Sequence, residues 1–132
     1  MILVADDDRV YNRLLCEQLK RHGFQVMAVF DALQAVMFAM KQPFEAILLD
    51  ISMPGGTGVE VLKRVKASLK TNLTPVIVIT CREGDEIRAT TESLGVDRFF
   101  RKPVEFEELA RALDEILSHS APRGLHVVPR SA

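Results

Sequence analysis

The side chains in this sequence that are best suited to chemistry each follow a short apolar run. They are the acidic run Asp6-Asp7-Asp8, then Asp50, Thr80 and Lys102. Any one of them alone would be ordinary as a helix cap or a solvated charge. Together, converging carboxylates repel one another and favour a hard cation such as Mg²⁺. A carboxylate can also be a nucleophile that forms an aspartyl phosphate, while a hydroxyl and an ammonium hold the phosphoryl oxygens. The chemistry they favour is metal-assisted phosphoryl transfer.

Those side chains can meet only if the apolar runs are strands of one sheet. Five runs alternate with helical patterns, and three of them are apolar throughout, as is typical of parallel strands buried on both faces. The predicted strands are Ile2–Ala5, Gln25–Val29, Ala46–Leu49, Val76–Ile79 and Arg98–Arg101. Alternating β and α elements imply right-handed crossovers and helices on both faces. We therefore expect an α/β flavodoxin-like doubly wound sheet, strand order 2-1-3-4-5, with five helices.

The helices between the strands are predicted from apolar residues at helical spacing. The predicted apolar stripes are Val10, Leu14, Leu15 and Leu19; Leu33, Val36, Met37 and Met40; Val59, Leu62, Val65 and Leu69; Ile87, Ala89, Thr90 and Leu94; and Phe106, Leu109, Leu113 and Ile116. Gly23 and Gly95 are predicted helix stops, and Glu105, Glu107 and Glu108 suit the positive end of the last helix dipole. In a doubly wound sheet, ligands bind beyond the carboxyl ends of the strands, where the polar side chains fall.

Length, charge and cysteine content exclude several classes of protein. The chain has 132 residues and a net charge of −1, which indicates one domain and argues against direct binding of nucleic acid. Two cysteines make no disulfide framework, and five apolar residues before the aspartates are too few for a signal peptide or membrane span. We expect a cytoplasmic protein that does not enter a membrane, with a domain over residues 1–118 and a tail or the start of a linker over 119–132.

Four motifs in order and at matching spacing carry a family resemblance. They are Ile2-Leu3-Val4-Ala5-Asp6-Asp7-Asp8; Leu48-Leu49-Asp50-Ile51-Ser52-Met53-Pro54 with Gly58 four residues on; Val78-Ile79-Thr80; and Arg101-Lys102-Pro103. The chain resembles the response-regulator receiver domains of two-component phosphorelay systems over residues 1 to about 118. The resemblance implies a signalling domain that assists its own phosphorylation and dephosphorylation, rather than an enzyme acting on a separate substrate.

The resemblance assigns a role to each acidic residue of the site. It implies that Asp50 is the phosphoacceptor. Asp6 and Asp7 would position Mg²⁺ or Mn²⁺, with Asp7 and Asp50 as ligands and Asp6 acting through water. The backbone carbonyl of Ser52 would be a further ligand.

The remaining positions of the motif imply a switch. Thr80 would move its hydroxyl onto the phosphoryl group, and Lys102 would form a salt bridge with that group, with a cis bond before Pro103. Phe99 falls at the switch-aromatic position. Because it lacks a hydroxyl, its outward position should be held only by exposed apolar contact. The expected partners are a sensor histidine kinase or a histidine phosphotransfer protein, a downstream protein or output domain that binds the α4-β5-α5 surface, and a second copy in a phosphorylation-dependent homodimer.

Other residues near the motifs favour structural roles. Asp8 is predicted to cap a helix N-terminus, and Cys16 to lie in the core. Cys81 is predicted to matter for steric fit beside Thr80. Ser52 and Arg82 fall at positions that line the site in the family.

Two alternatives stay open at this point. Asp6-Asp7-Asp8-Arg9-Val10 also fits the opening motif of haloacid-dehalogenase-type phosphatases, with Asp6 as the nucleophile and Thr80 and Lys102 binding phosphate. That interpretation lacks the family's later acidic motif and leaves Asp50 unexplained. The other alternative is a phosphorylation-independent pseudo-receiver, although such proteins usually lack a member of the acidic pair, the acceptor or the lysine.

Overall fold

The computed structural model describes residues 1–53, 58–81 and 85–120. Five strands and five helices alternate along the chain. They are β1 (Ile2–Ala5), α1 (Arg9–Arg21), β2 (Val26–Val29), α2 (Ala32–Lys41), β3 (Ala46–Leu49), α3 (Gly58–Ala67), β4 (Val76–Thr80), α4 (Asp85–Ser93), β5 (Arg98–Arg101) and α5 (Phe106–Ser120). Every predicted strand is present within one residue of its predicted ends. Helix α5 continues to Ser120, and the rest of the predicted tail lies outside the described residues.

The strands form one parallel sheet in the order β2-β1-β3-β4-β5, which confirms the predicted fold class. Ala5, the last residue of β1, is in register with Val29 of β2 and Leu49 of β3. On the other side of the sheet, Thr80 of β4 pairs with Arg101 of β5. The carboxyl ends of all five strands therefore lie along one edge of the sheet.

A core lies on each face of this sheet, because the central strands are apolar on both sides. Apolar residues of α2 and α3 cover one face, and those of α1 and α5 cover the other. Leu3 contributes to the first core, whereas its neighbours Ile2 and Val4 contribute to the second, as alternation along a strand requires.

The buried stripe of α1 differs from the predicted one. Val10 and Leu14 are 80% and 50% exposed, whereas Leu15 and Leu19 are buried as predicted, together with Asn12 and Cys16. The spacing i, i+3, i+4, i+7 fits the observed set, but its first member is polar, so a search for apolar residues alone missed Asn12 and included Val10 and Leu14 in its place. The burial of Cys16 is confirmed.

The predicted stripes of the next three helices are also confirmed only in part, with Leu62 and Val65 of α3 buried as predicted. Helix α2 buries three alanines, Ala32, Ala35 and Ala39, while Leu33 and Met37 are exposed. Helix α3 buries Val61, Leu62 and Val65, and Leu69 lies beyond its end and is exposed. In the part of α4 that is described, the buried residue is Thr91. Small residues let α2 approach the sheet closely, while Val36 and Phe38 pack at the edge of the core and Leu33 and Met37 face outward.

The predicted N-cap of α1 and the predicted glycine stops after α1 and α4 are confirmed. The carboxylate of Asp8 accepts hydrogen bonds from the backbone amides of Val10 and Tyr11, as an N-cap does. Gly23 and Gly95 follow α1 and α4 with φ of 100° and 87°, a conformation that glycine adopts without strain. The predicted α5 stripe is buried at Leu109, Leu113 and Ile116. Among the described residues, there is no helix with the length and apolar character needed to cross a bilayer.

Candidate phosphoacceptor site

Four parallel strands deliver the polar side chains to one place. Asp6 and Asp50 come directly after β1 and β3, Thr80 ends β4, and Lys102 comes directly after β5. The backbone links these positions, since the amide of Asp50 donates to the carbonyl of Ala5 at 2.9 Å and that of Lys102 donates to the carbonyl of Thr80 at 2.9 Å. The sheet therefore brings together at one edge the positions that the sequence singled out.

Three carboxylates form a cluster at this edge. The ligand oxygens of Asp6, Asp7 and Asp50 lie within 4.8 Å of one another. Asp6 and Asp50 are only 3% and 4% exposed, whereas Asp7 faces solvent. A small group of carboxylate oxygens with one side open to water is the donor set that Mg²⁺ prefers. The residues present fit a divalent cation.

Lys102 lies against two of these carboxylates. Its Nζ is 2.7 Å from Oδ2 of Asp6 and 3.3 Å from Oδ2 of Asp50. Burial acts to lower the pKa of Lys102, but the hydrogen bond and charge of Asp6 and the charge of Asp50 outweigh it and raise the pKa. The ammonium therefore stays protonated and offsets part of the charge of the cluster.

Backbone amides hold the other oxygen of each buried carboxylate. The amide of Asp8 donates to Oδ1 of Asp6 at 2.9 Å, and the amide of Ser52 donates to Oδ1 of Asp50 at 3.0 Å. Burial raises the pKa of Asp6, against the hydrogen bonds from Lys102 and Asp8. Each carboxylate is thus oriented by the residue two positions ahead, with Oδ2 turned toward the lysine.

The two predicted switch residues lie on neighbouring strands. Thr80 is fully buried, and Phe99 on β5 is half-buried. The guanidinium carbon of Arg88 on α4 lies 5.6 Å from the centre of the Phe99 ring. This cation–π contact adds to the apolar contact that the sequence indicated, so an arginine from α4 also holds the ring.

Asn12, which the sequence pattern did not single out, joins the ends of β1 and β2. Its side-chain Nδ2 lies 3.0 Å from the carbonyl oxygen of Asp6, 3.1 Å from that of Val29 and 3.4 Å from that of Val4. Its Oδ1 accepts a hydrogen bond from Cys16. The available signal was a polar residue at the first position of the α1 stripe. These contacts hold the backbone at the end of β1, where the acidic run starts with Asp6.

Tyr11, also missed by the sequence pattern, lies beside the lysine. Lys102 Nζ is 4.5 Å from the centre of the Tyr11 ring. Burial raises the pKa of the Tyr11 hydroxyl, against a hydrogen bond from the backbone of Val104. The phenol therefore stays neutral at ordinary pH. No spacing rule marks such a residue, because its partner lies more than ninety residues later in the chain.

Two described features flank the site. Cys81 is exposed next to Thr80, and the peptide bond between Lys102 and Pro103 is cis, as the resemblance implied. Arg82 and Pro54 lie outside the described residues.

Comparison with known proteins agrees with this geometry. The family model for the response regulator receiver domain matches residues 2–114, and the chain belongs to that family. It is 35% identical over 120 residues to the transcriptional regulatory protein TctD of Salmonella typhimurium LT2, covering 91% of this chain and 53% of that protein. It is 35% identical over 119 residues to the transcriptional regulatory protein CpxR of Escherichia coli K12, covering 90% of this chain and 50% of CpxR. The chain thus spans about half the length of these relatives.

A solved structure shows the same fold. The receiver domain of the sensor histidine kinase PA1611 from Pseudomonas aeruginosa PAO1, which has a magnesium ion coordinated in its active-site cleft, matches with a TM-score of 0.82 and 27% identity. The match covers 89% of this chain and 96% of that domain. This chain is a receiver domain of the response-regulator class.

Proposed function

We propose that Asp50 accepts a phosphoryl group from a phosphohistidine on a sensor histidine kinase or a histidine phosphotransfer protein. The observation that carries the proposal is the position of Asp50 at the end of the central strand β3. One of its oxygens is fixed by the Ser52 amide, and the other lies 3.3 Å from Lys102 Nζ. Asp50 is thus an oriented carboxylate, and the ammonium of Lys102 beside it can bind the incoming phosphoryl oxygens.

The transfer exchanges one bond to phosphorus for another. A carboxylate oxygen of Asp50 attacks phosphorus, the bond from phosphorus to the histidine nitrogen breaks, and the electron pair returns to the imidazole, which takes up a proton. The product on this chain is an aspartyl phosphate. Lys102, already charged, needs only a small displacement from Oδ2 of Asp50 to reach a phosphoryl oxygen.

The acidic cluster would hold Mg²⁺ or Mn²⁺. Asp7, Asp50 and the backbone carbonyl of Ser52 would be its direct ligands, with Asp6 acting through water and kept in place by Lys102. When bound, the cation offsets the negative charge that gathers on the transferred phosphoryl group. The magnesium in the PA1611 receiver domain supports this assignment.

Thr80 and Phe99 would pass the phosphorylation state to the surface formed by α4, β5 and α5. The Thr80 hydroxyl would bond a phosphoryl oxygen, and Phe99 would turn inward as that hydroxyl moves. A two-state element of this kind responds only to the extent that the phosphoryl group favours one state over the other. Contact with Arg88 means that the inward turn must also break a cation–π interaction.

The output would come from protein docking. We place the receiver domain at residues 1–118 and a tail or linker at 119–132, in a cytoplasmic protein. TctD and CpxR are named as transcriptional regulators and are about twice as long as the matched region. The phosphorylated surface would act on a downstream protein, on an output domain of a longer chain or on a second copy, with no direct contact of this domain with nucleic acid or membrane.

The experiment is phosphorylation of the full chain by acetyl phosphate with and without Mg²⁺, followed by intact-mass measurement. Wild type should gain one phosphoryl group only with Mg²⁺, and Asp50→Asn should gain none. Labelling of Asp50→Asn together with loss of labelling in Asp6→Asn would instead support the phosphatase alternative. Absence of labelling in wild type would support the pseudo-receiver.

A further inference from the structure

Lys102 is confined on a third side by an aromatic ring. Two carboxylates contact its ammonium, at 2.7 and 3.3 Å, and the centre of the Tyr11 ring lies 4.5 Å from the same nitrogen. A lysine side chain has a flexible four-carbon stem and a strongly hydrated head, so it must be held if it is to keep one position. The face of an aromatic ring attracts an ammonium at this distance.

Tyr11 is itself held at both ends. It lies in the first turn of α1, where its backbone amide donates to the Asp8 carboxylate. Its hydroxyl is hydrogen-bonded by the backbone of Val104, two residues after Lys102. The side chain therefore joins the helix that follows the acidic run to the segment that follows β5, although β1 and β5 are separated by two strands in the sheet.

From this contact set we propose that Tyr11 is a positioning residue for Lys102. Its ring keeps the ammonium beside Asp6 and Asp50, where the ammonium would contact a phosphoryl group on Asp50. The inference rests on the proposed function of Asp50. The ring provides the attraction, and the hydrogen bond from Val104 adds to the hold that α1 already has on the ring.

Two substitutions separate the ring from the rest of the side chain. Tyr11→Phe keeps the aromatic face, and its phosphorylation rate with acetyl phosphate at saturating Mg²⁺ should stay within about 3-fold of wild type. Tyr11→Leu keeps a large apolar side chain without the face, and its rate should fall by about 3- to 30-fold. If Tyr11 only stabilised the fold, Tyr11→Phe and Tyr11→Leu would be phosphorylated at equal rates when each is assayed equally far below its own melting temperature.

Proton NMR gives a readout that does not depend on activity. In wild type and Tyr11→Phe, the Lys102 protons next to the ammonium should be shifted upfield by the ring current relative to other lysines. In Tyr11→Leu they should return to the ordinary position. Unshifted Lys102 protons in wild type would overturn the proposal even if the leucine variant did not fold.

The two proposals fail differently. Wild type that is not labelled at Asp50 would refute the proposed function. Wild type labelled at Asp50, with Tyr11→Leu labelled equally fast, would refute the role of Tyr11 alone.

Discussion

Gly58, the first residue of α3, lies against the backbone of Asp50 and Ile51 just after β3. A Cβ at residue 58 would lie 2.3 Å from the Cα of Ile51 and 2.5 Å from the carbonyl oxygen of Asp50, below the 3.0 Å that real Cβ contacts respect. Both neighbours are backbone atoms, so no side-chain rotation relieves the clash. Among the described glycines, those with positive φ are Gly23 and Gly95, so Gly58 is required for space and not for its backbone conformation.

The cost of Gly58→Ala follows from the clash. A gap of at least 0.7 Å must open, the difference between the 3.0 Å limit and the 2.3 Å contact. Overpacking of this kind costs about 1–3 kcal/mol, which corresponds to a fall in melting temperature of roughly 3 to 15 °C for a domain of this size. The peptide that must move carries Asp50 itself. Because a misplacement of about 1 Å can slow a reaction by about 100-fold, we expect phosphorylation to be slower by about 10-fold or more.

Gly95→Ala is the matched control. A Cβ there would meet only the Cε of Lys66 at 3.9 Å, but the φ of 87° strains any residue with a side chain. It should lose about 1–2 kcal/mol in urea unfolding and keep its phosphorylation rate. Gly58→Ala should lose both stability and phosphorylation rate. A Gly58→Ala protein with the stability and phosphorylation rate of wild type would refute the close approach of α3 to Asp50.

Three further predictions test the surroundings of the site. Asn12→Ala should lower the free energy of unfolding by about 1–3 kcal/mol, because it removes the side-chain donor of the Asp6 carbonyl and one of the two donors of the Val29 carbonyl. Under native conditions an alkylating reagent should modify the exposed Cys81 well before Cys16, since burial both shields Cys16 and raises the pKa of its thiol. Mg²⁺ should stabilise wild type, by about 2.7 kcal/mol at a hundred times its dissociation constant. Asp7→Asn should be more stable than wild type without metal, by about 1 kcal/mol or less, and respond less to Mg²⁺.

Each of these has a clear contrary result. An Asn12→Ala urea curve that coincides with wild type would show that its hydrogen bonds are replaced by water. Equal alkylation rates at the two thiols, followed by peptide mass spectrometry, would show that α1 opens readily. A melting temperature that does not change with Mg²⁺ would argue against a metal site at the carboxylate cluster.

The strands and the site were predictable from sequence for the same reason. Buried parallel strands are continuous apolar runs, and the polar residue that ends each run falls at the ligand-binding edge. The apolar runs therefore suffice to place Asp6, Asp50 and Thr80 together, whereas the strand before Lys102 begins and ends with arginine and is less evident from its pattern. The pattern could not predict the contacts of Lys102, whose ammonium lies directly against both buried aspartates.

The helix faces were harder to predict because apolar character is a poor guide where small or polar residues are buried. Ala35 and Asn12 are fully buried, while Val10 and Leu33 face outward. A helix that packs closely needs small side chains, and a buried amide satisfies backbone carbonyls that no apolar residue could. The roles of Asn12 and Tyr11 depend on such tertiary contacts.

The central claim, that Asp50 is the residue that carries the phosphoryl group, can be tested by chemical trapping. Borohydride reduces an acyl phosphate to the alcohol, so it converts a phosphorylated aspartate to homoserine and leaves free carboxylates unchanged. Wild type treated with acetyl phosphate and Mg²⁺, reduced and digested, should contain homoserine at position 50. Homoserine at position 6, or at no aspartate of a chain that had gained a phosphoryl group, would contradict the account.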